Sequence, residues 1–495
     1  MDYDLAEPNA ASLAESLRAF SYELPTAIAD LVDNSITAKA NRVWVDFYWD
    51  GSRSVIAVTD DGCGMHEQQL VEAMRPGSQN PLERREPHDL GRFGLGLKTA
   101  SFSQCRKVTV RSKTVNESCA TRCWDLDHIA KVNAWQLLRS TDPSAKPFFD
   151  RLAGLEMGTA VVWQSLDRLV SDREEPNDSK AQQIFLHRAE SVRRHLAMVF
   201  HDLMTGSNRV TILLNDKVVK PWDPFLAGEP ATQILPESTL KLRGLAVRVQ
   251  PYILPHHSKL QKARHDEAAG PNGWNAHQGF YVYRNCRLLV AGEWLGFGWA
   301  KEEHYKLARI RVDIPNEMDH DWGIDVTKSR AKPPAALRDD LRSIGERARK
   351  EAKRVYTYRG ATLTPRAEVE RIHLWEPTAK HNKTFYRLNR SHPLMLRALE
   401  STSDREGLNA LLRLLEETVP LPHISIRASE APNSLPAPFE GVPEHQIRSV
   451  MKQAFSSLLT SGYGRAEAAD RLATLWPFEL FPAVLQSLVE DQNAS

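Results

Sequence analysis

The chain has 495 residues, 42% hydrophobic and 26% charged, with a formal net charge of +1. This is the composition of an ordinary soluble protein, and no apolar run approaches the ~20 residues of a membrane span. Near-neutral charge supplies no global pull towards nucleic acid, so any such contact must come from a local patch. The length suits about three domains. The cysteines, at 63, 105, 119, 123 and 286, form no C-x-x-C pair, and reduced thiols are expected. The opening MDYDLAEPNAASLAES has neither a basic region nor an apolar core, so no signal peptide and a cytoplasmic location are expected.

The first informative element is a helix. In AIADLVDNSITA, Asp30 and Asn34 are four residues apart and share a face. An isolated D-x-x-x-N is ordinarily the polar face of a surface helix. Here Ala27, Ile28, Leu31 and Val32 make the helix largely apolar, and a carboxylate on a half-buried helix needs a partner, such as a metal–phosphate group. A carboxylate can orient or deprotonate a water, and an amide oxygen beside it can ligate Mg²⁺, a hard cation.

Next, Val55-Ile56-Ala57-Val58 reads as a buried strand running into Asp60-Asp61-Gly62-Cys63-Gly64. An acceptor followed by positions without side chains leaves room for a planar ligand, and a carboxylate accepting from an exocyclic amine favours adenine over guanine. D-D-G-x-G is also a common turn or a piece of a calcium loop. The calcium reading fails because the later bidentate Glu is missing at its spacing.

Residues Met74 to Leu90, with Pro76, Gly77, Pro81 and Pro87, read as a loop. Then Gly91, Gly94 and Gly96 lead into the helix-forming run Leu97-Lys98-Thr99-Ala100-Ser101. Glycines permit close backbone approach to phosphates, a helix N-terminus offers unpaired N–H groups, and Lys98 adds a cation. The order G-x-x-G-x-G is not the dinucleotide pattern G-x-G-x-x-G, and no P-loop sequence is present.

Together these three segments resemble the nucleotide site of the GHKL ATPases, which include gyrase-type topoisomerases, heat-shock chaperones, sensor histidine kinases and MutL proteins. SLRAFSYELPTAIADLVDNSITA and GRFGLGLKTASFSQC are most similar to the microrchidia, chaperone-like and MutL-like branch, over roughly the first 170 residues. MGTAVVWQSLDRL, at 157–169, is similar to the stretch bearing the fourth motif. The resemblance implies a Bergerat-type α/β sandwich in which Asp30 is the general base and Asn34 the Mg²⁺ ligand. It implies further that Asp60 reads adenine, that Thr159 caps the nucleotide-site strand, that Gly94, Gly96, Leu97 and Lys98 face the phosphates of ATP, and that Gly62, Gly64, Met65, Gly91 and Leu95 complete the nucleotide-binding set. Residues 74–96 would be an ATP lid that couples binding to homodimerisation. The usual base is Glu; Asp30 is one methylene shorter, which implies slow hydrolysis.

From residue 181 a second domain is expected, to about 360. AESVRRHLAMVFHDLMTG reads as an amphipathic helix, and strands are expected in RVTILLNDKVV, LKLRGLAVRVQPYIL, GFYVYRNCRLLV and LARIRVDIP. Strands followed by a helix near 335–357 suit the α+β transducer domain of the superfamily, which lends a cation to the γ-phosphate. Lys328 is the candidate for that role, with Arg330 and Lys332 competing. From Lys328 to Arg359 there are eleven Lys or Arg against four Asp or Glu. Leu337, Leu341, Ile344, Ala348 and Val355 fall at helical spacing, leaving a cationic exterior over 335–359 that could contact a nucleic-acid backbone or remain solvated.

Residues 361–495 read as a helical C-terminal region divided by the proline-rich span SEAPNSLPAPFEGVP. Asn389, Arg390 and His392 form a polar cluster before a helix, readable as a cap and turn. The sequence therefore implies an ATPase, with ATPase domain 1–180, transducer 181–360 and C-terminal region 361–495. Two functions stay open: an ATP-gated clamp or remodeller acting on DNA with partner proteins, as in phage-defence systems, or a chaperone-like switch for protein clients.

Overall fold

The computed structural model describes residues 8–19, 22–77, 96–206, 209–324, 331–357, 373–380, 383–420, 424 and 438–493. The chain forms two compact units, residues 1–361 and 362–495.

The first unit opens with helices α1 (Ala10–Arg18) and α2 (Leu24–Thr37). Asn9 caps α1 by accepting from the Ser12 amide, and Pro25 in the first turn of α2 sets the helical φ in advance. Leu24, Ala27, Ile28, Leu31 and Val32 recur at helical spacing and are all buried. The chain continues through β1 (Arg42–Tyr48), β2 (Val55–Asp60), α3 (Glu67–Met74), α4 (Gly96–Phe102), β3 (Lys107–Lys113), β4 (Ala120–Asp125) and α5 (Leu126–Val132). After the single turn α6 (Asp150–Ala153) come β5 (Gly158–Gln164), α7 (Ser179–Val199), α8 (His201–Thr205), β6 (Thr211–Leu214) and β7 (Lys217–Val218).

These strands make one seven-stranded sheet in the order β4-β3-β5-β2-β1-β6-β7. Every pairing is antiparallel except β1 with β6. Strand alternation divides the side chains between the two faces. Val43, Val45, Phe47, Ile56, Val58 and Trp163 join the core under α1, α2 and α7. Val55, Ala57, Ala160 and Val162 face the other way, onto Ala145, Phe149 and Leu152. The expected division at 180 does not fall at the end of this sheet. α7 packs on α2, and β6 extends the sheet beside β1, because Ile212 and Leu214 complete the same apolar layer.

A second sheet follows, from β8 (Gln233–Ile234), β9 (Ser238–Leu242), β10 (Leu245–Ile253), β11 (Gly279–Arg284), β12 (Arg287–Glu293) and β13 (Ala308–Ile314), with α9 (Lys262–Ala268) between β10 and β11. Its order is β12-β11-β13-β10-β8, with β9 beside β10. Helix α10 (Ala335–Thr357) covers it: Leu337, Leu341, Ile344, Ala348 and Val355, the stripe expected from spacing, are buried in this second core.

The second unit is not wholly helical. It begins with a hairpin, Trp375–Lys380 paired antiparallel to Lys383–Leu388, so the FYRLN stretch is largely strand. Helices Pro393–Ser401, Arg405–Glu417, Glu444–Thr460, Arg465–Thr474 and Pro482–Asn493 complete it. The polar cluster is a turn: Asn389 Oδ1 accepts from the Ser391 amide at 2.8 Å, and His392 precedes the first helix without a side-chain capping bond. Among the described residues no helix is long and apolar enough to cross a membrane.

Candidate nucleotide site

Asp30 is carried on the buried side of α2, 3% exposed, and accepts a hydrogen bond from the Tyr22 hydroxyl at 3.0 Å. Tyr22 is itself fixed by Gln104, whose side-chain amide donates to the Tyr22 carbonyl. The first residue of α4 comes to the same place: a Cβ added to Gly96 would stand 3.7 Å from Asp30 Oδ2. One turn along, Asn34 is exposed. On this helix the carboxylate is sheltered and the amide open.

Asp60 ends β2 and is 6% exposed. Its Oδ2 accepts from Ser35 Oγ at 2.8 Å and its Oδ1 from the Gly62 amide at 2.9 Å. Burial raises its pKa, with the hydrogen bonds from Gly62, Ser35 and the Thr159 backbone opposing. Across the sheet Asp60 pairs with Thr159 on β5, and Thr159 with Ser112 on β3. The Ser112 and Thr159 hydroxyls are 2.8 Å apart, and Ser112 Oγ accepts from the Met65 amide. Asp60, Thr159 and Met65 are thus gathered into one row through Ser35 and Ser112. Those two serines do not stand out in the sequence, where a lone Ser on a helix or strand carries no signal. The neighbouring Asp61 serves the backbone instead. Its Oδ1 accepts from the Asn41 and Arg42 amides and closes the turn between α2 and β1.

The glycines answer to a different need from the one expected. A Cβ on Gly64, at φ +65°, would stand 1.9 Å from the Lys113 carbonyl oxygen, and one on Gly62 2.8 Å from Ala38. Both are demanded by the close approach of neighbouring protein, whatever space a ligand requires.

Leu97 and Met65 pack partly buried against the first core. Lys98 is 3% exposed, its Nζ donating to the Ala73 carbonyl of α3 at 3.0 Å, and burial lowers its pKa to about 8. Gly91, Gly94 and Leu95, residues 78–95 of the expected lid, and Lys328 and Arg330 lie outside the described residues. Lys332 is exposed, its amide donating to the Trp322 carbonyl at 2.7 Å. Among the described residues no group of three His, Cys, Asp or Glu could hold a metal ion.

A buried acceptor at a strand end and a carboxylate–amide pair on a facing helix are the arrangement to set against known proteins. Residues 22–159 match the family described as histidine kinase-, DNA gyrase B- and HSP90-like ATPase. The N-terminal module belongs to the GHKL ATPase superfamily. Within it, the chain is 31% identical over 118 residues to the DNA mismatch repair protein MutL of Dictyoglomus turgidum, covering 23% of this chain and 20% of that one. It is 29% identical over 97 residues to the MutL of Thermotoga maritima, 19% of each chain. To the ATPase morc-1 of Caenorhabditis elegans it is 31% identical over 88 residues, 18% of this chain and 10% of that protein. The chain thus aligns with only about a fifth of the length of the MutL relatives.

Proposed function

We propose that the protein binds and hydrolyses Mg·ATP and uses the cycle to drive a dimeric clamp that acts on DNA. The observation that supports the reading is the hydrogen bond from Ser35 to Asp60, which ties the end of β2 to α2, the helix that also carries Asp30 and Asn34. Asp60 accepts from the adenine amine, with Ser35 and the Gly62 amide holding its carboxylate in place. Asp30, sheltered from solvent and oriented by Tyr22, accepts a proton from the attacking water. Asn34 fits a hard cation because it is an oxygen donor left open on the same helix, and bound Mg²⁺ would supply charge neutralisation at the phosphates. Gly96, Leu97 and Lys98, with Gly91, Gly94 and Leu95, are proposed to face the phosphates, and a cation from the second sheet region, Lys328, Arg330 or Lys332, to reach the γ-phosphate.

The DNA side of the proposal rests on two supports. The aligned relatives include DNA mismatch repair proteins, and α10 exposes Arg347, Lys350 and Lys353 on the side away from its packed stripe. Partner proteins, a place in phage defence and a cytoplasmic setting remain proposals of the same reading. The test is ATP turnover by the full chain with and without duplex DNA, beside Asn34→Ala. The expected result is an ATPase that prefers ATP to GTP, is stimulated by DNA and is abolished in the variant. Equal binding of GTP, or normal turnover by Asn34→Ala, would overturn the nucleotide assignment. Turnover indifferent to DNA would favour the chaperone-like switch.

A further inference from the structure

Between Asp30 and Asn34 on α2 lies Asp33, 1% exposed, and a partner comes to it from the other sheet. Arg287 Nε stands 3.1 Å from Asp33 Oδ1, across 254 positions of sequence. Arg287 is 2% exposed; its guanidinium lies 5.0 Å over the Phe200 ring and donates to the Leu288 carbonyl. The route by which it arrives is specific. It is the first residue of β12, after a turn in which Asn285 and Cys286 have φ of 48° and 62°. Two successive left-handed residues make the tight hairpin that matches strand twist, so the tip of β11–β12 is aimed at α2. His195 of α7 feels both charges. Burial first, and then Arg287, lower its pKa to about 3, with Asp33 opposing, so the imidazole stays neutral beside the pair.

A pair buried this deeply is weak support for stability, because desolvation offsets much of the attraction and apolar residues of similar volume often serve as well. Its position suggests another use. α2 has no side-chain cap at its N-terminus, so its rotation and height are set by packing, by the Tyr22–Asp30 and Ser35–Asp60 hydrogen bonds and by the Asp33 contact, the tie that comes from the second sheet. We propose that Arg287 is a positioning residue for the nucleotide site: through Asp33 it holds α2 so that Asp30 and Asn34 bear correctly on the phosphates. The inference rests on the nucleotide reading above. Displacing catalytic groups by about 1 Å costs on the order of 10²-fold in rate, so loss of this anchor is costly even though it touches no substrate.

The experiment uses the full chain and three variants: Arg287→Met, which keeps length and loses charge, Arg287→Lys, and the double variant Asp33→Asn/Arg287→Met. Affinity for a fluorescent ATP analogue, single-turnover hydrolysis and Tm are measured for each. Arg287→Met is expected to lose at least ~10-fold in turnover with nucleotide affinity changed less than ~3-fold, since the groups that bind the base are untouched. Arg287→Lys regains part of that loss. The double variant, which removes both charges of the pair, regains Tm but not turnover, so the result stands even if Arg287→Met folds poorly. Turnover within about twofold of wild type in the double variant, or recovery of turnover in step with Tm, would overturn the proposal and leave the pair a structural one. Failure of wild type to bind ATP, or normal turnover by Asn34→Ala run alongside, would instead overturn the nucleotide reading and this proposal with it.

Discussion

Asp30 and Asp60 are both buried carboxylates, yet their surroundings suit them to different work. Asp30 has the Tyr22 hydroxyl at one oxygen and the start of α4 beside it. Asp30→Asn keeps the shape and removes the proton acceptor, so ATP should still bind while turnover falls by ~10²–10⁴, the usual weight of general-base catalysis. Single-turnover hydrolysis beside nucleotide affinity checks this, and unchanged turnover would move the role to another group. Asp60 is held in a site whose burial opposes its charge. Its folded pKa lies above the unfolded value, so the unfolded chain binds fewer protons between the two, and stability falls as pH rises through that window. Asp60→Asn should therefore melt higher than wild type at pH 7 while losing ATP binding. The gap should narrow as pH is lowered towards the raised pKa and wild-type Asp60 takes up its proton. Calorimetry at several pH values measures it; a variant that melts lower at neutral pH would show that the hydrogen bonds to Asp60 outweigh its desolvation.

At the scale of the elements, the site depends on how closely three strands and one helix can be brought together. β2, β5 and β3 meet at the row Asp60, Thr159 and Ser112, and Gly158, which opens β5, comes close to the end of β2. Its φ is +146°, and an added Cβ would lie 2.1 Å from the Asp60 carbonyl oxygen. Gly158→Ala should destabilise the first unit by at least ~1–3 kcal/mol, the cost of a residue forced into such a conformation. Because the clash is with Asp60 itself, nucleotide affinity should fall as well. Thermal unfolding and ATP binding by the same variant test the pair of effects; loss of neither would mean that the strands can separate at no cost. The reach of the first sheet to β7 has the same origin. Residues 211–214 bury Ile212 and Leu214 on alternate positions, and pairing with β1 sets both in the apolar layer of the first core.

For the molecule as a whole, the proposed clamp requires that nucleotide state alter assembly. ATP can shift the equilibrium between open and paired forms only by the amount it binds the paired form better. The full chain should accordingly be more dimeric with a non-hydrolysable ATP analogue than with ADP or no nucleotide. Light scattering at several protein concentrations is the measurement. An assembly state identical in all three conditions would remove the main support for a clamp while leaving ATP binding intact. The Asp33–Arg287 pair joins α2 to the second sheet within residues 1–361.

The sequence by itself determined the nucleotide motifs, because each is local. Asp30 and Asn34 are one helical turn apart, Asp60 closes a short, mostly β-branched run, and the apolar stripe of α10 repeats at helical spacing. Such patterns are written in neighbouring residues and need no knowledge of the rest of the chain. Only the tertiary structure decided the partners brought from a distance. Ser35 and Ser112 carry no mark that sets them apart from other serines, and nothing near Asp33 in the chain announces Arg287. The reason for Gly62 and Gly64 also lay in Ala38 and Lys113, residues that approach only when the sheet is assembled. Contacts of this kind depend on strand order and register, which hydrophobic periodicity leaves undetermined between strands of similar length and composition.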